Sequence, residues 1–226
     1  MNWFEELLNN RALETALPEA IWDTVVMVGI SGVATVVIGG VIGIILHLTR
    51  PGGLAPMRTL YAILSSIIVN ITRSIPYAIL MVALIPFTQW MVGTSIGPYA
   101  ATVSLTIATA PFFARLVETA LREVPSGTVD AAQVMGMSNG QIVSKVFLPE
   151  ALPGLIAAIT NTTVVLIGYS AMAGLIGGGG LGRLAYNYGY QRFDSQVMIV
   201  TIIVIVIGVQ LIQWIGDRIV AAVDHR

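Results

Sequence analysis

The sequence predicts an all-α integral membrane protein with five transmembrane helices. Three observations carry that prediction. Apolar residues make up 56% of the 226-residue chain and charged residues only 10%, with a mean hydropathy of +0.85; a soluble domain carries roughly 25% charged residues. Five stretches are long and apolar enough for a helix to cross a bilayer, which takes about 20 residues. Between the third and fourth of them lies one long polar interruption, residues 128–149, that carries its own helix caps and bend.

The spans follow in order. Thr24 to Leu48 is the first and holds no charged residue. Leu60 to Phe87 is overlong and is interrupted by Arg73 and Pro76. Pro98 to Ala114 is shorter and ends just past Pro111; Gly154 to Ile176 and Ser195 to Gly216 are uncharged. An odd number of spans puts the termini on opposite faces. With the N-terminus outside, the inner face receives Arg50, Arg58, Arg115, Arg122, Lys145, Arg218 and Arg226, and the outer face only Arg11, Arg183 and Arg192. Excess Lys and Arg mark the cytoplasmic side, so this orientation is expected and the polar interruption is cytoplasmic. Residues 1–23 are then an outer N-terminal segment and 24–226 the transmembrane domain. Glu5, Glu6, Glu14 and Glu19 against a single Arg11 are the wrong sign for a signal peptide, so the first span is expected to persist in the mature protein. Trp3, Phe4, Leu7 and Leu8 suit either a short interfacial helix or a disordered tail.

The interruption reads as two short helices joined by a glycine bend. Thr128 is the expected N-cap of the first, which places Asp130 in the first turn, where the helix N-terminus favours a carboxylate. Ala131 and Ala132 leave a bare face that another protein can approach closely. Gly136 can end the helix in a left-handed conformation. Ser138-Asn139-Gly140-Gln141 is a capping box that starts the second helix, with Ile142, Val143, Val146 and Phe147 as its apolar side. A loop so fully specified, in a chain otherwise devoted to lipid, is expected to dock a partner.

Here the chain resembles a family. Ala131, Ala132, Gly136, Leu148 and Pro149 match the signature of permease subunits of ATP-binding-cassette importers, with Asp130 and Val146 where that family carries Glu and Ile. Arg73 to Pro76, Val92 to Gly97, Leu148 to Gly154 and Gly168 to Met172 are similar to the methionine-importer permeases, and the similarity runs from about Trp22 to the C-terminus. The resemblance implies a type I importer permease fold with cytoplasmic coupling helices in a bacterial inner membrane. It implies a homodimer, two ATPase subunits that bind ATP and Mg, and an extracytoplasmic substrate-binding protein. Asp130, Ala131, Ala132, Gly136, Val146, Leu148 and Pro149 would couple to the ATPase, and the cargo would be methionine, with D-methionine and derivatives possible substrates. No cofactor and no nucleic-acid partner is expected for this chain; lipid surrounds it.

Several features are weighed against plainer readings. The one lysine, Lys145, does not follow a glycine, so a Walker A loop is absent and any ATPase must be a separate subunit. The absence of cysteine excludes thiol catalysis and disulfides. Gly177 to Gly182 spells a dinucleotide-binding pattern but follows a membrane span and not a strand, so it is expected to be a flexible or tightly packed turn, with Arg183 to Tyr190 as an outer connection. His47 and His225 are read as surface or interfacial, not as haem ligands. Arg73 in mid-span costs about 2.5–3.5 kcal/mol on insertion scales and must face protein or water. Carbonyls freed by Pro76 are its expected partners, with a substrate carboxylate as the alternative. Tyr169, Ser170 and Met172 are pathway candidates; Met172, pliable and flanked by small residues, suits a gate. Gly39 and Gly43 suit close helix packing. A secondary transporter needs an intramembrane carboxylate, and the spans as bounded here contain none. A membrane-anchor subunit leaves the docking loop unexplained.

Overall fold

A computed structural model describes residues 10–224; the N-terminal aromatic cluster, His225 and Arg226 lie outside the described residues. Helix α1, Arg11–Thr49, has 39 residues, about 58 Å at the usual rise, against roughly 30 Å of hydrocarbon. Asn10 starts it: its side-chain oxygen accepts the Ala12 N–H at 3.0 Å while its amide donates to Asp194 at 2.9 Å. The outer segment and the first span are thus one helix, and no backbone break falls at residue 23.

Helix α2, Arg58–Ser74, widens to π-helical turns over Ile63–Ile71 and stops at Ile75. Pro76 has no N–H to give and pushes the residue before it towards extended backbone; Ile75 has φ −87° and ψ 123°. Helix α3, Tyr77–Ala83, leaves at 102° to α2. The second expected span is therefore a broken pair. Helix α4, Ile85–Val92, follows. Helix α5, Pro98–Arg122, contains Pro111 and runs past the expected end at Ala114. Helices α6 (Ser126–Val134) and α7 (Asn139–Ile142) form the polar loop. Then come α8 (Leu152–Ala173), α9 (Gly180–Leu184) and α10 (Ser195–Val223). The expected outer connection is helical, since α9 continues in wide turns over Ala185–Tyr190. Among the described residues, four helices are long and apolar enough to span a membrane, and a fifth span is counted if the broken pair crosses as one.

The chain folds into two compact units. The first takes the chain to Val33, Pro76–Ile107 and Thr163–Ile212; the second takes Ala34–Ile75, Ala108–Thr162 and the chain from Gln213. In the first, Ala20, Leu181, Leu184 and Val197 make a core, and the Leu181 N–H donates to Thr24 Oγ1 at 2.9 Å. The glycine run takes the tightly packed alternative: a Cβ on Gly182 would lie 2.0 Å from the Ala171 carbonyl oxygen. In the second, Phe113, Val117, Leu121, Ile142 and Phe147 are core. There α1 meets α5 at Gly39 and Gly43, where a Cβ would lie 2.6 Å from the Ala110 and Ala114 carbonyl oxygens.

That contact makes a test. Gly43→Val should destabilise the purified protein by about 2–3 kcal/mol, since the clash is with backbone and Val117 and cannot be relieved by a rotamer change. Gly29→Ala, which meets nothing within 4 Å, is the matched control. Equal thermal midpoints for the two variants would show that α1 and α5 are not packed this closely.

Candidate functional site: the loop between the fifth and eighth helices

The first loop helix starts earlier than the sequence suggests. Pro125, at φ −57° and ψ 131°, is the N-cap of α6, and its ring holds a φ suited to helix entry. Thr128 lies inside the helix, its N–H bonded to the Pro125 carbonyl at 3.2 Å, and Asp130 falls in the second turn. Packing decides which alanine faces out. Ala132 is 1% exposed and packs in the core that holds Ile142, Val146 and Phe147, so it is no part of a bare outer face. Ala131 is exposed, and so are Val134 (89%) and Met135 (73%). Those three stand at i, i+3 and i+4, one apolar stripe on the outside of the loop.

Gly136 bends the chain with φ +77°, the left-handed region that glycine enters without a Cβ penalty. Its N–H donates to Gln133 and that of Met137 to Ala132, closing the end of α6. The capping box forms as expected: Ser138 Oγ accepts the Gln141 N–H at 3.4 Å, and Gln141 Oε1 accepts the Ser138 N–H at 2.9 Å. Beyond α7 the turns widen over Val143–Phe147, directly before Leu148 and Pro149. A proline ring clashes with the carbonyl four residues back in a regular helix, and the wider turn accommodates it. Val146 points inward at 8% exposure, while Asp130 and Pro149 are at the surface and Leu148 is half-buried.

Beneath the loop lies a group the sequence reading missed. Glu118, on the extended end of α5, is 1% exposed and ion-paired to both Arg115 and Arg122. Tyr61 donates to it at 3.3 Å, and Arg115 reaches Ser65 at 2.9 Å and Asn70 at 3.1 Å, which ties α2 to α5. Two of the expected inner-face charges therefore neutralise an acid inside a helix that counts as a span. The third span as bounded at Ala114 holds no carboxylate, but its helix runs on to Arg122 and so includes Glu118, a doubly paired structural group and not a proton relay. His47 is likewise not at the surface: it is 2% exposed, edge-on to Phe147 with ring centroids 4.6 Å apart.

The pathway candidates separate. In the first unit Tyr169 stacks on Tyr77, centroids 4.5 Å apart and rings 3° from parallel, and the Tyr77 hydroxyl lies 3.3 Å from Ser104. Ser170 is 2% exposed and donates to the Ile167 carbonyl, so it faces the interior. Met172 is 45% exposed. In the second unit Arg73 is exposed and has no hydrogen bond among the described residues; its guanidinium lies 5.7 Å from the Phe112 ring centre. The Thr72 carbonyl, which loses its usual donor because Pro76 has no N–H, takes the Ile75 N–H at 3.3 Å and not the arginine, so the structural partner expected for Arg73 is not there. Tyr77 had no signal beyond being an aromatic directly after the break.

Binding-protein-dependent transport system inner membrane components match residues 39–226 of this chain. The chain belongs to that family. It is a membrane permease subunit and not an ATPase. It is 50% identical over 224 residues to the probable D-methionine transport system permease protein MetI of Vibrio cholerae, covering 99% of this chain and 96% of that protein. To the D-methionine transport system permease protein MetI of Escherichia coli it is 50% identical over 210 residues, covering 93% and 96%. A solved inward-facing structure of the MetNI methionine ABC transporter superposes with a TM-score of 0.93 at 49% identity, covering 96% of this chain and 100% of that one. A crystal structure of an amino acid ABC transporter with histidines, at 16% identity and a TM-score of 0.78 over 98% of this chain and 99% of that one, shares the fold.

The two alanines of this permease should respond differently to the same charge. Ala132→Glu forces a carboxylate into a packed core and should unseat the loop, read as rapid limited proteolysis near residue 136 and a thermal midpoint lowered by several degrees. Ala131→Glu projects into solvent and should leave both readings at wild-type values. Identical behaviour of the two would refute the assignment of faces.

Proposed function

We propose that this chain is the permease subunit of an ATP-driven importer that carries methionine, including D-methionine and close derivatives, across the inner membrane by alternating access. The observation that carries this reading is the half-identity, over nearly the whole chain, to permeases named for D-methionine transport. In this reading two copies form the pathway, two ATPase subunits bind the cytoplasmic loop, and an extracytoplasmic binding protein delivers the cargo. The N-terminus is outside and the C-terminus cytoplasmic, as the distribution of Arg and Lys supports.

The coupling residues divide their labour. Ala131, with Val134 and Met135, offers the ATPase an apolar stripe, and Asp130 and Pro149 lie at the loop surface. Ala132, Val146 and the Gly136 bend hold the loop rigid enough to transmit force. Met172 serves as a gate, supported by its exposure three residues along the helix from Tyr169. Arg73 faces the pathway, supported by its exposure and its lack of a hydrogen-bonded partner among the described residues.

Reconstituted with its ATPase and binding protein, the permease should accumulate labelled methionine only when ATP is supplied. Met172→Ala should raise ATPase activity uncoupled from uptake, roughly two- to fivefold, without changing which amino acid is carried, because a gate sets the closed-state population and not recognition. Uptake of a sugar or polyamine in place of methionine would overturn the substrate.

Orientation has its own test. In a chain without native cysteines, Asn187→Cys should react with an impermeant maleimide from outside intact cells, and Ser138→Cys should react only after lysis. The reverse pattern would invert the topology.

A further inference from the structure

In the first unit a cavity of about 410 Å³ opens between α1 and the helical stretch that starts at Gly180. One wall is acidic: Glu19 and Asp23 stand four residues apart on α1, and so share a face of it. The other is basic, with Arg183 on α9 and Arg192 beyond the wide turns, and Asn187 and Tyr188 between them. The four formal charges cancel, yet they do not close on one another. Among the described residues the ion pairs belong to Glu118, and none joins the two walls. Asp23 accepts the Gly180 N–H at 3.3 Å, and the Arg192 guanidinium lies 4.4 Å from the Tyr188 ring centre, which holds it beside the cavity. Facing walls of opposite sign that stay apart leave their attraction available to a ligand that carries both signs.

We infer that this cavity binds a zwitterionic α-amino acid, its ammonium group towards Glu19 and Asp23 and its carboxylate towards Arg183 and Arg192. A simple cation or anion would gain from one wall and be repelled by the other. The volume falls within the roughly 300–1,000 Å³ of small-molecule sites and leaves room for a side chain with water, so the site reads the charge pattern and not the side chain. Guanidinium groups suit the carboxylate end because they can offer it two parallel hydrogen bonds. None of these residues is among the pathway candidates. In the proposed orientation the cavity is on the outer side, where an amino acid released by the binding protein would first meet the permease. For the identity of the ligand the inference rests on the importer reading; the charge pattern stands without it.

The test uses the permease–ATPase complex, first without the binding protein and then with it added. Ala16→Cys puts the permease's one thiol at the cavity, and its rate of maleimide labelling is followed on the permease band. Methionine of either hand, at about ten times its Kd, should slow labelling roughly tenfold by occupancy alone, while methionine methyl ester and 3-(methylthio)propionate slow it by less than about twofold. Glu19→Gln or Arg183→Gln in the same background should abolish the protection. Absence of protection by methionine, equal protection by the two analogues, or protection by the binding protein regardless of amino acid would each overturn the site; the last would mark a protein-docking surface. Uptake by the same complex in proteoliposomes, with the binding protein and ATP supplied, separates the two readings. Methionine uptake without protection sinks the site alone, whereas protection without uptake of any amino acid sinks the importer reading and leaves the site standing.

Discussion

Lipid offers a backbone N–H or C=O no partner, so a chain that interrupts its helices must close every break with its own groups. This permease breaks its helices with proline and glycine and pays back each one locally. At Pro76 the carbonyl of the breaking residue takes the N–H groups of Ile79 and Leu80, which restarts helix at once. Along the glycine run the Gly177 carbonyl accepts the Gly97 N–H at 2.9 Å, while Asp23 and Thr24 accept those of Gly180 and Leu181. The Gly136 bend lies in the polar loop, outside the spans, and closes in the same way, the carbonyls of Ala132 and Gln133 being taken by the two residues of the bend. The same residues that break the helix permit the close approach that repairs it. Gly182 lies against the Ala171 carbonyl at a distance no other residue could tolerate.

Within the second unit this logic makes α5 the common support. Gly39 and Gly43 bring α1 onto its Ala110 and Ala114 carbonyls. Val117, Ala120 and Leu121 share a core with Ala132, Ile142 and Phe147 of the loop. Arg115, Glu118 and Arg122 hold Tyr61, Ser65 and Asn70 of α2. Packed interiors respond to a push by switching arrangement and do not stretch, so a displaced loop meets a continuous packed contact through α5 to α2. That helix ends at Arg73 and Pro76. Glu118 is the buried member and both arginines keep part of their surface in solvent, so removing either arginine leaves the buried carboxylate with the other, and removing Glu118 unties α5 from Tyr61.

The sequence made the helices legible because hydrophobic length and caps are local signals. The capping box at Ser138, the bend at Gly136 and the close packing at Gly39 and Gly43 all stand as read. Misreadings came where tertiary structure cancelled a local rule. Counting charges ended the third span at Ala114, but Glu118 balances Arg115 and Arg122 and the helix runs on to Arg122. Thr128 was read as the cap where Pro125 holds that place, and Ala132 was read with Ala131 as part of a bare face because no local signal shows the core of Ile142 and Phe147 closing over it. His47 was read as interfacial because nothing in its neighbourhood announces that Phe147, a hundred residues later, closes over it. The stack of Tyr77 on Tyr169 joins residues far apart in the chain and has no sequence signal at all.

Arg73 carries the argument from the single chain to the assembly. A guanidinium with no hydrogen bond among the described residues, on a helix that belongs to a membrane span, cannot rest against hydrocarbon without the full insertion cost of about 2.5–3.5 kcal/mol. Its contact with the Phe112 ring returns a fraction of that, about 0.5–1 kcal/mol at an exposed site. Only a second protein surface or water can supply the rest. In the proposed dimer a second copy of the permease would provide the first and a central pathway between copies the second, so the cost would be met in either conformation of an alternating-access cycle. The sites can then remain weak: a ligand shifts two states only by its difference in affinity for them, and a pathway that held its cargo tightly in both would slow its release.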